Sequence, residues 1–215
     1  MSVFVRLVTR DLSRAMASGG IAMPVVFFLL VATLYPFAVG PDAALLGRSG
    51  GGMLWVAALL AALLPVDRRV APDAASGVLD QLAVRGISDE LVVTAKMIAH
   101  WVGFALPLML AAIPASALLN LDGAMLAKLE IGLLLGTPGL AALGVMVACL
   151  TTGLKGTSAL TGLLMLPLAI PVLIFGAGSL APVDGGALKL LAAASLLLVA
   201  ITPFAGGAAL QAGRE

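Results

Sequence analysis

Long apolar runs alternate with short polar segments along the whole chain. The runs without Asp, Glu, Lys or Arg cover 15–41, 49–66, 97–121, 131–154, 156–183 and 190–213. A membrane-spanning helix needs about 20 mostly apolar residues, and all six runs reach or approach that length. A charge at the bilayer centre costs roughly 2.5–3.5 kcal/mol. The pattern therefore predicts six transmembrane helices, at about 22–40, 50–66, 94–120, 129–151, 158–180 and 188–210.

Composition agrees with a membrane protein. Of the 215 residues, 61% are hydrophobic and 11% are charged, whereas soluble domains carry about 25% charged residues. We expect one all-α, polytopic transmembrane domain over residues 1–215. The net charge of +1 argues against nucleic acid as a partner. A single cysteine and a single histidine, Cys149 and His100, exclude an intramolecular disulfide and a Cys/His metal cluster.

Residues 1–17 have the pattern of an amphipathic helix lying in the membrane plane. One face carries apolar side chains, from Phe4, Leu7, Val8 and Leu12. Another carries a row of cations at i, i+4 and i+8, from Arg6, Arg10 and Arg14. We expect these cations to contact lipid head groups at the membrane interface. The alternative is a disordered basic leader.

The distribution of basic residues predicts the orientation. With a cytoplasmic N-terminus, the inside segments hold nine cations: Arg6, Arg10, Arg14, Arg68, Arg69, Arg85, Lys96, Lys155 and Arg214. The outside segments hold three, which are Arg48, Lys128 and Lys189. Cytoplasmic segments carry the excess of Lys and Arg. Both termini are therefore predicted to be cytoplasmic, and the largest cytoplasmic segment is 67–93.

This segment contains the sequence of a short amphipathic helix. Pro72 is expected to break the preceding chain, Ser76 or Asp73 to cap the helix, and Gly86 to end it. One face would be apolar, with Val78, Leu79 and Leu82, and the other polar, with Asp80, Gln81 and Arg85. Such a helix can insert its apolar edge into a groove on a partner protein. The alternative is a helix that floats at the lipid surface.

The chain lacks the residues that enzymatic chemistry requires. The segment 153–158, GLKGTS, has the wrong order for a phosphate-binding loop, in which Gly directly precedes Lys. A lone histidine provides no catalytic triad. We therefore predict that this chain is not an enzyme, and that a partner subunit supplies any ATPase activity. His100 is a candidate haem ligand, or else a neutral histidine that bonds to a neighbouring helix.

Several strings in the chain, in order and with similar spacing, resemble one family. They are YPFAVGPDAALL (35–46), WVAALLAALL (55–64), GVLDQL (77–82), AKMIAHW (95–101), LLLGTPGL (133–140), GLK (153–155), LPLAIPVLIFG (166–176), PVDG (182–185) and TPFAGGAAL (202–210). Together they resemble the haem exporter B family, CcmB, which is the permease subunit of an ABC transporter in cytochrome c maturation.

The resemblance implies a multi-pass protein of the bacterial inner membrane with six spans and an ABC-2 type permease fold. It implies an ATPase partner, CcmA, docked on the cytoplasmic segment 67–93, which would couple ATP hydrolysis to the permease. The candidate coupling residues in this segment are Gly77, Val78, Leu79, Asp80, Gln81, Leu82 and Arg85. It also implies association with CcmC and CcmD and haem delivery to the periplasmic chaperone CcmE. Haem is then expected as a transported or handled ligand, and no cofactor is assigned to this chain.

Two other functions fit the same pattern. One is an ABC-2 type permease that exports a lipid, a glycan or a drug. The other is a membrane scaffold that assembles further subunits and transports nothing.

Overall fold

The computed structural model describes residues 2–64, 67–152, 158–181 and 185–214. Within these residues the chain is helical and contains no strand. The helices are α1 Val3–Ala17, α2 Ala22–Val39, α3 Ala43–Leu63, α4 Asp67–Ala75, α5 Val78–Val84, α6 Asp89–Leu118, α7 Gly123–Leu150, α8 Ser158–Gly178 and α9 Ala187–Ala212. The predicted all-α fold is confirmed.

Among the described residues, five helices are long and apolar enough to cross a membrane, namely α2, α3, α6, α7 and α9. The fifth predicted span, 158–180, corresponds to α8. The part of α8 with described side chains, Gly162–Gly178, is a shorter apolar helix. Six spans therefore remain a prediction, while the multi-pass character rests on five candidates.

Three spanning helices begin before their predicted starts. Helix α3 begins at 43 instead of 50, α6 at 89 instead of 94, and α7 at 123 instead of 129. Each start carries a side-chain cap, in which the oxygen of Asp42, Ser88 or Asp122 accepts hydrogen bonds from backbone amides of the first turn. Arg48 and Lys128 lie within helices, so a charged residue does not mark where either helix begins.

Trp55 of α3 fills the centre of the bundle. Its side chain is fully buried, and glycines of two other helices make room for the indole. A Cβ atom added to Gly136 of α7 or Gly176 of α8 would lie 2.7 Å from Trp55 ring atoms. Gly132 and Gly136 form a G-x-x-x-G step, which allows helices to approach closely. In the structure, the Trp55 ring packs against both of these glycines.

Small residues allow α7 and α9 to pack closely along their length. The backbone amide of Gly139 donates a hydrogen bond of 2.8 Å to Ser195 Oγ. A Cβ on Gly139 would lie 2.8 Å from Ser195 Cα, so the two backbones nearly touch at this position. Helix α6 is joined to α7 by the hydrogen bond from Trp101 Nε1 to Thr137 Oγ1, at 3.2 Å.

The predicted coupling loop, 67–93, is largely helical. It contains α4, α5 and the first turn of α6. Pro72 lies inside α4, so the prediction that it breaks the chain there was wrong. The turns on either side of α5 use left-handed glycines, Gly77 at φ +69° and Gly86 at φ +74°. Residues other than glycine rarely adopt this conformation, which explains the two glycines.

Candidate functional site

Helix α5 lies with its apolar edge against the chain's own bundle. Leu79 is only 5% exposed and belongs to the hydrophobic core, and Leu82 packs against that core. Asp80, Gln81 and Arg85 are exposed. The predicted division into two faces is therefore present, but the apolar face contacts the protein itself.

The helix start differs from the prediction. Gly77 occupies the cap position and no side chain caps α5. Ser76 Oγ instead donates to the carbonyl oxygen of Pro72 at 2.8 Å, and Asp73 forms ion pairs elsewhere. The end near Gly86 agrees with the prediction, since α5 stops at Val84.

The amphipathic pattern does not single out Val84, the last residue of α5, yet among the described residues it is the most exposed large hydrophobic residue. It is 89% exposed, which is high for a valine outside the spanning helices. It lies beside the exposed Arg85. Together with Gln81, these residues form the outward face of α5, which we call the α5 outer face.

Arg214 connects α5 to the beginning of α6. Its guanidinium pairs with Asp80 at 3.2 Å and with Asp89 at 2.6 Å, and it also donates to the Leu79 carbonyl oxygen at 3.4 Å. The hydrogen bond to Asp89 raises the pKa of Arg214. Because Arg214 lies two residues after the end of α9, its side chain connects α9 with α5 and α6.

A second ionic cluster joins α1, α4 and α6 around Asp73. This carboxylate is 3% exposed and pairs with Arg14 at 2.6 Å, with Arg10 at 2.7 Å and with Lys96. Lys96 also contacts Asp11 at 3.2 Å. We call this set of five residues the Asp73 cluster. It attaches the N-terminal helix to the bundle.

The electrostatics of the Asp73 cluster follow from burial and pairing. Burial raises the pKa of Asp73, but the nearby Lys96, Arg10 and Arg14 outweigh it and hold the pKa below its ordinary value. Arg69 of α4 lies at the edge of the cluster. Burial lowers its pKa to about 10, against the opposing charge of Asp11. Arg69 is therefore less well compensated than its neighbours.

The Asp73 cluster includes two of the three cations that were predicted to contact lipid head groups. Two of them, Arg10 and Arg14, bind Asp73, and the third, Arg6, is exposed. Lipid contact by all three stays a prediction. A sequence signal for the cluster exists in Lys96, which lies in an apolar stretch of α6 and is 3% exposed, since a buried lysine requires an anionic partner. The partners themselves are distant in sequence.

His100 lies one turn beyond Lys96 and is fully buried. Its ring is 5.7 Å from that of Phe104, tilted by 34°. Neither ring nitrogen has a hydrogen-bond partner among the described residues, so the expected bond to a neighbouring helix is not seen there. The side chain has no exposed edge through which haem iron could reach it in this conformation, and ligation of haem by His100 stays a prediction.

Two strings named in the sequence analysis fall partly outside the described residues. They are GLKGTS (153–158), of which 153–157 lie outside, and PVDG (182–185), of which 182–184 lie outside. The last two residues of the second predicted span, 65 and 66, also lie outside them.

Comparison with known proteins identifies the family of the chain. The family model described as CcmB protein matches residues 2–213. This chain belongs to the CcmB family. A relative named heme exporter protein B from Rhodobacter capsulatus is 46% identical over 211 residues, covering 95% of this chain and 97% of the relative. Proteins of the same name are 42% identical in Bradyrhizobium diazoefficiens over 222 residues and 40% identical in Escherichia coli K12 over 200 residues.

The CcmB family match runs from α1 into the residues after α9, so it includes α5, the Asp73 cluster and all five candidate spans. The B. diazoefficiens relative is matched over 100% of both chains. The resemblance found in the sequence strings is thereby confirmed.

Proposed function

We propose that this chain is the membrane permease component of a haem exporter. The observation that carries the proposal is the CcmB family match over residues 2–213, together with relatives named heme exporter protein B that are matched along nearly their whole length. Five apolar helices of spanning length support a role within the membrane. In this proposal the protein lies in the bacterial inner membrane with both termini in the cytoplasm, as the distribution of basic residues predicts.

We further propose that a separate ATPase subunit, CcmA in the family, drives the permease by contacting α5. The α5 outer face supports this, since Val84, Gln81 and Arg85 are available for contact while Leu79 is buried. The site thus differs from the one expected from amphipathicity: the partner would contact the polar face and Val84, and the apolar edge would hold α5 on the permease.

The contacts of α5 offer a route by which ATPase closure could move the spans. Asp80 and the Leu79 carbonyl both bind Arg214, which also holds Asp89 at the start of α6. Displacement of α5 would therefore act on α6 and α9 together. A ligand shifts such an equilibrium only by its difference in affinity for the two states, so the ATPase must bind the α5 outer face differently in each.

The remaining proposed partners are the membrane subunits CcmC and CcmD, membrane lipid and, indirectly, the periplasmic haem chaperone CcmE. Haem enters this scheme as the handled ligand. His100 is buried, which supports assigning haem ligation chiefly to another subunit.

The test is a deletion strain complemented with this chain. We expect loss of c-type cytochromes on deletion, full recovery with the wild-type chain, and no recovery when the partner ATPase carries an inactive nucleotide site. Normal c-type cytochromes in the deletion strain would contradict haem export and favour export of a lipid, glycan or drug. Recovery with the inactive ATPase would favour a scaffold.

A further inference from the structure

A cavity of about 600 Å³ lies between α1, α4 and α6. Its charged lining consists of Asp11, Arg14, Arg69, Asp73 and Lys96. The rest of the lining is mostly small, with residues such as Ala15 and Ala99. The space is therefore large enough for a ligand with a charged group and an apolar part.

The side chains around this cavity carry an excess of positive charge. Among those that the structure describes, four cations meet two carboxylates: Arg10, Arg14, Arg69 and Lys96 face Asp11 and Asp73. Asp73 is shared by three cations and Asp11 by two. The carboxylates are therefore already engaged, and two positive charges remain uncompensated among these six side chains.

Arg69 carries the clearest sign of a missing anion. Its Nε and Nη2 atoms are buried and have no hydrogen-bond partner among the described residues. A buried cation without paired acceptors is costly. These two nitrogens lie on the same edge of the guanidinium, and this edge binds two oxygens of one phosphate or carboxylate in parallel.

We propose that this cavity binds a phosphate group, to which Arg69 donates from Nε and Nη2 once its guanidinium turns from its buried position toward the cavity, with Arg14 neutralising the second charge. Basic pockets between membrane helices are typical binding sites for phospholipid head groups, and the small residues around the charged centre would accept the beginning of an acyl chain. A free phosphate offers the same chemistry. The proposal is independent of haem export, because it concerns only the charges at this end of the bundle.

The position of the cavity gives the bound phosphate a role. Helix α1 is held to the bundle by buried apolar side chains such as Leu7 and by the Asp73 cluster, where its two arginines share one carboxylate. A phosphate between α1 and α4 would supply further acceptors to Arg14 and the acceptors that Arg69 lacks among the described residues. We therefore expect phosphate binding to stabilise the attachment of α1.

The experiment uses the full-length chain, delipidated in a mild detergent. In one arm phosphatidylglycerol, with phosphatidylcholine for comparison, is titrated and binding is followed by native mass spectrometry. In the other arm inorganic phosphate is titrated and the apparent melting temperature is followed. Arg69→Gln is expected to weaken binding about tenfold, the loss expected for charge-assisted hydrogen bonds. Arg69→Lys, which keeps the charge but loses the two-nitrogen edge, should also bind more weakly.

Arg6→Gln is the matched control, since Arg6 is an exposed cation on α1. It should bind like the wild type. Phosphatidylglycerol binding that depends on Arg69 identifies a lipid head group, and dependence in the inorganic phosphate arm alone identifies free phosphate; either result supports the site. Equal binding by wild type and both Arg69 variants would overturn it. So would an equal loss with Arg6→Gln, because that would indicate general charge attraction.

Discussion

Arg214 and Asp89 are joined by two parallel hydrogen bonds, from Nη2 to Oδ1 at 2.6 Å and from Nη1 to Oδ2 at 2.8 Å. The pair closes the gap between the end of α9 and the start of α6. Asp89 is only 6% exposed, and its negative charge lies in the first turn of α6, where the helix dipole favours it. Bidentate geometry of this kind is among the stronger ionic contacts in proteins.

We predict that Arg214→Ala lowers the free energy of unfolding by about 1–3 kcal/mol, because it leaves the Asp89 carboxylate buried without its partner. Thermal unfolding of the detergent-solubilised chain measures the loss. Asp80→Asn is the matched control, since the Asp80 side chain is 65% exposed and exposed pairs contribute little. Equal loss in both variants would contradict the assignment of Asp89 as the main partner.

We predict that Asp73→Asn is more harmful, lowering the free energy of unfolding by about 3–5 kcal/mol, the range for breaking a buried ion pair from one side. Lys96 would then lie buried without its main anion. The double variant Asp73→Leu with Lys96→Met removes both charges and should recover part of the stability. Failure of the double variant to exceed Asp73→Asn would contradict this account of the Asp73 cluster.

The same carboxylate predicts an acid dependence. The pKa of Asp73 in the folded protein lies below its ordinary value of 3.8, so its stabilising effect is complete above pH 3.8 and is lost as the pH falls through the folded-state pKa. Unfolding measured below pH 4 should therefore show a loss of stability in the wild type that is smaller in Asp73→Asn. A parallel decline in the two proteins would assign the acid sensitivity to other groups.

We predict that Gly176→Ala destabilises the bundle by about 1–3 kcal/mol, the usual cost of overpacking. The added methyl would lie 2.7 Å from three Trp55 ring atoms, and a buried indole cannot move aside easily. Gly52→Ala, on the same helix as Trp55 but with open space around it, serves as the control. Tryptophan fluorescence during thermal unfolding reports both. No difference between them would contradict the packing of the indole on Gly176.

We predict that Val84→Asp strongly reduces the amount of ATPase subunit that co-purifies with the chain. The side chain is 89% exposed, so the folded permease should tolerate the charge, whereas an apolar contact with a partner would not. Val84→Thr keeps the shape and should retain most of the ATPase. Undiminished co-purification with Val84→Asp would exclude this residue from the docking site. Leu82→Asp is a poorer probe, because Leu82 packs against the core.

We predict that His100→Ala leaves the haem absorbance of the purified assembly largely unchanged, because the ring is fully buried beside Phe104. Absorbance spectra at matched protein concentrations make the comparison. Complete loss of the haem signal would instead make His100 a ligand and would require the surrounding helices to open.

Five helices of spanning length could be predicted from the sequence because charge-free apolar runs of about 20 residues are typical of membrane helices and rare in soluble domains. Their starts could not, because a charged residue does not mark the limit of a helix. Arg48 and Lys128 show this: both lie within helices, six residues after the capping Asp42 and Asp122. A capping aspartate followed by a charge in the second turn is compatible with a helix that continues into the membrane.

The candidate site could be predicted less completely, because its contacts join residues that lie far apart in the sequence. Amphipathicity indicated the two faces of α5, but it could not distinguish a groove on a partner from the groove that the chain itself provides for Leu79. The Asp73 cluster joins residues separated by 59 and 63 positions, and no local pattern links them. The sequence offered one signal, the position of Lys96 inside the predicted third span 94–120, and the burial of Lys96 is seen only in the structure.

The fit of Trp55 against glycines of α7 and α8 limits how this protein can change shape. An indole fitted against glycines that leave no room for a Cβ atom interlocks three helices, so α3, α7 and α8 cannot slide past each other without first separating. Any rearrangement must carry them as one rigid block. The attachments at the periphery, Arg214 at one place and Asp73 at another, are then the joints about which the smaller helices α1, α4 and α5 can turn.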